Sequence, residues 1–404
     1  MKKSLADLAI LGGPKAFSEP LYVGRPNIGD RDRLLARIND LLDRRWLTNH
    51  GVYVQELEAR IAAQVGVRHC IAMVNGTVAL EIAIRASGLS GEVIVPSFTF
   101  VATAHALQWQ EITPVFCDVD PRTHNLDPNR VESLITPRTT GILGVHLWGR
   151  PCDVEALADV ARRRRLKLLF DAAHAFGCSR GGRPVGGFGD AEVFSFHATK
   201  FLNSFEGGAV VTNDDDLAGR IRLMQNFGFA DYDEVVYVGT NGKMSEVAAA
   251  MGLTSLESMD EFVAANRRNY RCYREELAGV AGVSLMEYDE SAPGNFQYIV
   301  LEVEESRLGR DLLKDVLWAE NVLARRYFHP GCHRMEPYRS YFPNAGLMLP
   351  CTERLTARVL TLPTGTAVSP EEIARVCDLV RLAAAHGPEL RERLRRDTAV
   401  EISA

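Results

Sequence analysis

Six short apolar runs in the first part of the chain do not alternate with polar residues. They are Gly91–Pro96 (GEVIVP), Pro114–Cys117 (PVFC), Gly141–His146 (GILGVH), Lys167–Phe170 (KLLF), Ala191–Phe196 (AEVFSF) and Gly208–Thr212 (GAVVT). Runs of four to six residues rich in Val, Ile, Leu and Phe are buried on both faces, as the strands of a parallel sheet are. Helical patterns separate most of them: Val78–Ser87, Thr99–Gln110 and Val154–Arg165. Strand, helix, strand in this order implies right-handed crossovers and an α/β sandwich. Each run ends in a small or polar residue, and ligands of open α/β sheets sit at those carboxyl ends.

Past this region a long helical pattern, Met244 to about Leu277, leads away from the sheet. Gln297–Val303 (QYIVLEV) then alternates like a half-exposed strand, and Leu312–Glu320 and Glu371–Ala385 read as helices. A chain of 404 residues is long for one core, so the expected division is a large domain over 1–254 and a smaller α+β domain over 255–404. Net charge is −6, which argues against a nucleic-acid backbone binder. No stretch approaches the roughly 18 apolar residues of a membrane span, and Met1–Pro14 lacks the form of a secretory signal. The eight cysteines are scattered with no Cys-x-x-Cys pair. That is cytoplasmic usage, with neither a disulfide frame nor a zinc site.

Asp171 ends the run Lys167–Phe170 and so faces the ligand crevice, with His174 about one turn further on. It either serves a ligand or caps the following turn. Lys200 follows the run Ala191–Phe196 in Ser195-Phe196-His197-Ala198-Thr199-Lys200. A lysine there either snorkels at the sheet edge or is an amine kept near its deprotonated form for carbonyl chemistry. An acid and a lysine at neighbouring strand ends together fit pyridoxal phosphate (PLP). The glycine turn Asn75-Gly76-Thr77, opening the helix Val78–Ser87, is a candidate phosphate seat, and Ser195 could add a hydroxyl. There is no GxxxxGK[ST] loop, and Gly181–Gly189 lacks dinucleotide spacing, which argues against nucleoside triphosphate and nicotinamide cofactors. His329-Pro330-Gly331-Cys332-His333 matches no common zinc pattern and is expected to be a substrate-facing loop. The cluster Arg162–Arg165 is expected at a solvated helix end.

The ordered series Asn75-Gly76-Thr77, Gly91–Ala104, Pro114–Asp120, Val145–Pro151, Asp171–Ala175, Ser195–Lys200, Gly207–Asn213, Gly239–Glu246 and Arg325–Arg339 resembles the DegT/DnrJ/EryC1/StrS family of nucleotide-sugar aminotransferases. The resemblance implies the PLP-dependent transferase fold of type I, aspartate aminotransferase-like. Lys200 occupies the position of the Schiff-base lysine, and Asp171 that of the acid paired with the pyridine nitrogen. His174 stands where many members have glutamine, facing the ring hydroxyl. Phe100 matches the aromatic stacked on the ring, and Gly76, Thr77 and Ser195 match the phosphate cradle. Asn241 matches an asparagine reaching the phosphate from a neighbouring subunit, which implies a homodimer with shared sites. His197, Arg325, Tyr327 and His333 fall where substrate contacts are expected.

Within the family, Ser195–Lys200 as SFHATK followed by Asn203–Gly208 is similar to enzymes aminating the 4-position of dTDP-4-keto-6-deoxy-D-glucose. Members acting at the 3-position commonly carry tyrosine and proline where His197 and Ala198 stand. The resemblance implies L-glutamate as amino donor and a role in deoxyaminosugar, antibiotic-type pathways. The alternatives are 3-amination, 4-amination giving the galacto epimer, or, in a different class, a regulatory protein retaining the fold.

Overall fold

The computed structural model describes residues 2–402. Seven strands form the main sheet: β1 (His69–Met73), β2 (Glu92–Pro96), β3 (Thr113–Cys117), β4 (Thr139–Val145), β5 (Lys167–Asp171), β6 (Ala191–Ser195) and β7 (Gly208–Thr212). Their spatial order is β1-β7-β6-β5-β4-β2-β3. Neighbours run parallel except β7, which is antiparallel to both β1 and β6. The mostly parallel sheet expected from the apolar runs is therefore present.

Helices cover both faces, which is why the strands are mostly apolar on both sides. Helices α1 (Arg31–Arg44), α2 (Val52–Val65), α3 (Gly76–Ala86), α4 (Val101–Gln108), α5 (Val154–Arg164), α6 (Asp215–Met224) and α7 (Glu246–Glu257) surround it. Phe170 and Phe194 enter a core with Leu57 and Ile61 of α2, Leu157 of α5 and Leu253 of α7. Leu169 and Val193, one position along, enter the opposite core with α3 and α6. The alternation carries Asp171 to the α3 side, just past the strand's last apolar residue. Arg162, Arg163 and Arg164 end α5 and pair with Asp159 and Glu132, as a solvated helix end would.

The long helical pattern after Met244 is two helices, α7 and α8 (Met259–Glu276), broken at Ser258. Beyond them β8 (Val283–Leu285), β9 (Ile299–Val303) and β10 (Val359–Leu362) form an antiparallel sheet in the order β8-β9-β10. Helices α8, α9 (Arg310–Ala319) and α11 (Pro370–Ala385) pack on it, and α10 (Pro350–Arg358) lies between. Strand β9 was expected to be half exposed. It is buried except at Glu302, because helices cover one face and the large sheet's loops the other.

The expected division at 254/255 is crossed in both directions. Leu5, Leu8, Phe17 and Leu21 belong to the core between the β8-β9-β10 sheet and helices α8, α9 and α11. Buried Glu320 holds that segment by accepting the amides of Ala9 and Ala16, each at 2.7 Å. In return Cys332, Tyr338 and Leu349 pack into the main sheet's core on the α3 and α6 side. Among the described residues no helix is long and apolar enough to cross a membrane.

Candidate active site

A cavity of about 430 Å³ opens at the carboxyl ends of the main sheet. Gly76, Thr77, Phe100, Asp171, His174, Ser195, His197, Lys200, Arg325 and Tyr327 all line it. Ten of the twelve expected site residues thus share one wall-to-wall space. Asn241 and His333 do not.

The cradle is built by local rules. Asn75 caps α3, its Oδ1 accepting the Val78 amide at 2.8 Å and its carbonyl the Ala79 amide. The amides of Gly76 and Thr77 are left for a ligand at the positive end of the helix. A Cβ on Gly76 would lie 3.0 Å from the Ser195 Cβ. One on Gly208 would lie 2.8 Å from the Gly76 nitrogen. Strand β7 therefore approaches the turn more closely than a side chain at Gly208 allows, and a side chain at Gly76 would crowd Ser195 at the end of β6.

Asp171 is buried and accepts two hydrogen bonds, from Thr103 Oγ1 at 2.8 Å and the Ala173 amide at 3.1 Å. Thr103 Oγ1 is itself 2.9 Å from Thr99 Oγ1. Burial pushes the Asp171 carboxyl up, while these donors and the nearby Lys200 charge pull it back. Burial pushes the Lys200 amine down to about 8, against the opposing pull of Asp171. His174 is held well below the ordinary histidine range by burial and by the Lys200 charge, so its ring is neutral. Its Nδ1 accepts the Trp148 amide at 3.3 Å, which leaves the proton on Nε2. Trp148 reaches that position through a left-handed backbone, φ 61°.

The Lys200 pKa leads to an expected pH dependence. At pH 7 an amine of pKa about 8 is about 10% unprotonated, against about 0.03% for a lysine at 10.5. Cofactor loading of the stripped protein, followed as growth of its visible absorbance, should rise about tenfold per pH unit and level off near pH 8. A rise continuing to pH 10 would show an ordinary lysine.

His197 Nδ1 is 2.9 Å from Thr199 Oγ1, and its Nε2 is 3.5 Å from a Glu206 carboxylate oxygen at the cavity rim. The Arg325 guanidinium stacks 5.2 Å from the Tyr327 ring centre and makes no ion pair among the described residues. Arg326, beside it, pairs instead with Asp311. The expectation for His333 is corrected. It is 3% exposed and lies behind the cavity wall. The Ser97 hydroxyl donates to its Nδ1 at 2.7 Å, and its Nε2 donates to Glu353 at 2.7 Å. Both ring nitrogens are thereby used, so the loop's tie to the sheet leaves neither for a ligand. No residue of the loop 329–333 lines the cavity, contrary to the expectation of a substrate-facing loop; Tyr327 and Phe328, just before it, do. Asn241 is exposed, outside its own chain's cavity, in a backbone bridge with Asn226.

Sequence reasoning missed Thr103, Trp148, Glu206 and Tyr298. Of these only Glu206 carried a local signal, as an acid just before Gly207-Gly208 in the strand-end loop. Among the described residues no group of three His, Cys, Asp or Glu side chains is placed to hold a metal.

These features fit PLP: a glycine turn closely packed against the ends of β6 and β7, a buried carboxylate lining the cavity, and an amine at depressed pKa. The fold is that of the PLP-dependent transferases of type I. Residues 29–381 match the DegT/DnrJ/EryC1/StrS aminotransferase family, and the chain belongs to it. It is 37% identical over 368 residues to a dTDP-4-amino-4,6-dideoxy-D-glucose transaminase of Shigella dysenteriae, covering 90% of this chain and 99% of the relative. A GDP-perosamine synthase of Caulobacter vibrioides is also 37% identical, over 354 residues, 86% of this chain and 93% of that one. The solved structure of DesI in the presence of its TDP-sugar product is 55% identical, with a TM-score of 0.93 over 97% of this chain and 100% of that one. The protein is an aminotransferase.

Proposed function

We propose that this chain moves an amino group from L-glutamate to dTDP-4-keto-6-deoxy-D-glucose, forming dTDP-4-amino-4,6-dideoxy-D-glucose for deoxyaminosugar biosynthesis, with PLP held at Lys200. The observation that carries the reaction is the convergence of Lys200 and Asp171 on a cavity that the Gly76 turn also lines. The names of the Shigella relative and of DesI support the substrate.

Gly76, Thr77 and Ser195 would hold the phosphate, and Phe100 would cover the ring. When bound, PLP supplies an electron sink for the carbon that loses its proton. Asp171, as an anion, holds a proton on the ring nitrogen. Thr103 and Ala173 fix the carboxylate's direction. His174, neutral and protonated on Nε2, donates a hydrogen bond into the cavity. Lys200 would hold the cofactor between turnovers, and its amine, once free, would take and return the proton of the donor's α-carbon. The same proton shuttle would serve the keto-sugar half-reaction in the reverse direction, and two half-reactions sharing one site give ping-pong kinetics.

The GDP-perosamine relative keeps a second reading specific: the same chemistry on a GDP-linked keto-sugar. Product NMR from a panel of dTDP-, UDP- and GDP-linked keto-sugars tests both. Nitrogen at the sugar 3-position, or in the galacto configuration, would withdraw the assignment. A regulatory protein is distinguished by glutamate alone, which should bleach the visible band of a catalyst.

A homodimer with shared sites fits the apolar residues around the hairpin formed by Phe229–Asp231 and Glu234–Val235. Phe227, Phe229, Tyr232, Val235 and Val238 are exposed there, Tyr232 by 95%, close in sequence to Asn241. The cysteines Cys70, Cys117, Cys152, Cys178, Cys272, Cys332, Cys351 and Cys377 are all free, in keeping with a cytoplasmic enzyme.

Arg325 is the cavity cation suited to the anionic substrate, since the chain as a whole is acidic. Arg325→Ala is expected to slow the keto-sugar half-reaction about tenfold or more, a charged contact being worth about 1.5–3 kcal/mol. The glutamate half-reaction should change little. Stopped-flow measurement of each half separately checks this, and equal damage to both would place Arg325 at the cofactor or in the fold.

A further inference from the structure

The loop carrying Lys200, residues 197–204, has no regular secondary structure. Two main-chain bonds hold it from within: the Lys200 amide to the His197 carbonyl and the Ser204 amide to the Phe196 carbonyl, each at 2.8 Å. Phe201 and Leu202 anchor it in the large-domain core, Ser255 Oγ donates to the Asn203 carbonyl at 2.7 Å and Gln297 Nε2 to the Thr199 carbonyl at 3.4 Å, and a distant segment, 24–27, adds further support. Gly24, at φ +76°, lies so close to Thr199 that a Cβ would sit 3.1 Å from the Thr199 Cβ and 3.3 Å from its carbonyl oxygen. Asn27 is 3% exposed and uses its polar groups on both sides. Its Nδ2 donates to the Phe201 carbonyl at 2.9 Å, and its own carbonyl accepts Asn203 Nδ2 at 2.9 Å. Its Oδ1 accepts the Thr366 amide at 3.0 Å and the Thr366 hydroxyl at 2.8 Å. The turn preceding Thr366 is fixed in turn to α8, where Asn269 Nδ2 donates to the Gly365 carbonyl at 2.9 Å.

Asn27 does not line the cavity, and no step derived above uses it. It nevertheless joins three parts: the main chain beside Lys200, the N-terminal segment, and the loop leaving β10 of the second sheet. We propose that Asn27 is a positioning residue for Lys200, tying the lysine loop to the second unit so that the amine is held at, and returns to, one point in the cavity. This rests on the reading that Lys200 carries the cofactor and moves the proton. The physical reason is reach. A lysine has four rotatable bonds, so its amine is only as well placed as its main chain. Proton transfer is sensitive to misplacement on the order of 1 Å, which can lower a rate about 10²-fold.

The two arms of Asn27 can be cut separately. Asn27→Asp puts an oxygen against the Phe201 carbonyl and keeps the acceptor for Thr366. Thr366→Val removes one hydroxyl donor and keeps the Phe201 bond. In the Asn27→Asp holoenzyme kcat is expected to fall about tenfold or more, with KM within about threefold. The pH at which its visible band titrates should move by about one unit, since that band reports the environment of the Lys200 nitrogen. Hydrogen exchange over residues 197–204 should rise. Thr366→Val should move the same readouts in the same direction by less. If Asn27→Asp melts earlier but keeps its band titration within about 0.2 pH units and its kcat within about twofold, Asn27 is part of the fold alone and the proposal fails. Should Asn27→Asp not fold, Thr366→Val and Asn203→Asp carry the test by the same criteria. Borohydride reduction of the wild-type holoenzyme with peptide mapping separates the two levels. Cofactor trapped elsewhere than Lys200 overturns the reading of the site itself. Cofactor trapped on Lys200 with unaltered Asn27→Asp kinetics and spectrum overturns only the tie.

Discussion

Lys200→Ala is expected to lower turnover by about 10⁴-fold and to leave the protein folded. Nothing in the cavity substitutes for the amine. His174 is neutral and commits Nδ1 to the Trp148 amide, and His197 is engaged by Thr199 on one ring nitrogen and faces Glu206 with the other. The fold has little to lose, because the Lys200 amine makes no hydrogen bond among the described residues and burial already penalises its charge. The sign follows from the shift. A lysine whose pKa is lowered on folding destabilises the folded chain in full below about 8, and by less as pH rises from there to the ordinary lysine value. Removing it should therefore leave the melting temperature at pH 7 unchanged or raised. Pyridoxamine phosphate should still bind, since Gly76, Thr77 and Ser195 stand apart from the lysine. Mixing this variant with Asn241→Ala, with subunit exchange verified, should restore activity at one site of each heterodimer. Normal turnover in Lys200→Ala would remove the residue from the mechanism. No recovery in the mixture would remove Asn241 from a shared site.

What the sequence made legible was whatever is local. Strands β2 to β7 stood out because burial on both faces writes continuous apolar runs. Asp171 and Lys200 stood out because each breaks such a run at its carboxyl end. The Asn75 turn stood out because capping and glycine signals lie within three residues. What escaped depends on segments far apart in the chain meeting in space. Thr103 lies 68 residues from the carboxylate it steadies, Trp148 lies 26 from the imidazole whose tautomer it sets, and Asn27 lies 174 from the carbonyl it holds. His333 misled for the same reason. A histidine near a family motif reads as a ligand contact until Ser97, 236 residues away, claims one nitrogen and Glu353 the other. The N-terminal apolar residues Leu5, Leu8 and Phe17 show no periodicity that names the core they join.

Asp171→Asn isolates charge from shape. Asparagine keeps an oxygen that can accept the Ala173 amide. Its new amide group faces Thr103 Oγ1, whose hydroxyl can turn to donate to Thr99 Oγ1, 2.9 Å away, and accept from the asparagine instead. The hydrogen-bond chain then runs in the opposite direction with no atom displaced, so a rate change reports the lost negative charge. Without that charge the ring nitrogen of a bound cofactor is not held protonated, and the barrier should rise by about 3 kcal/mol, roughly 10²-fold in kcat, the size of other preorganised electrostatic contributions at reacting centres. Stability should move the other way. Burial raises the Asp171 pKa, and an acid whose pKa is raised on folding weakens the folded state as pH climbs through that value. At pH 7 the cofactor-free wild type carries this penalty and the asparagine variant does not, so the variant should melt at the same temperature or higher. Slower turnover with undiminished stability is what a charge kept for chemistry predicts. A rate within tenfold of wild type would mean that another group protonates the ring. A melting temperature lowered along with the rate would mean that Asp171 serves mainly to hold Thr103 and the turn at Ala173.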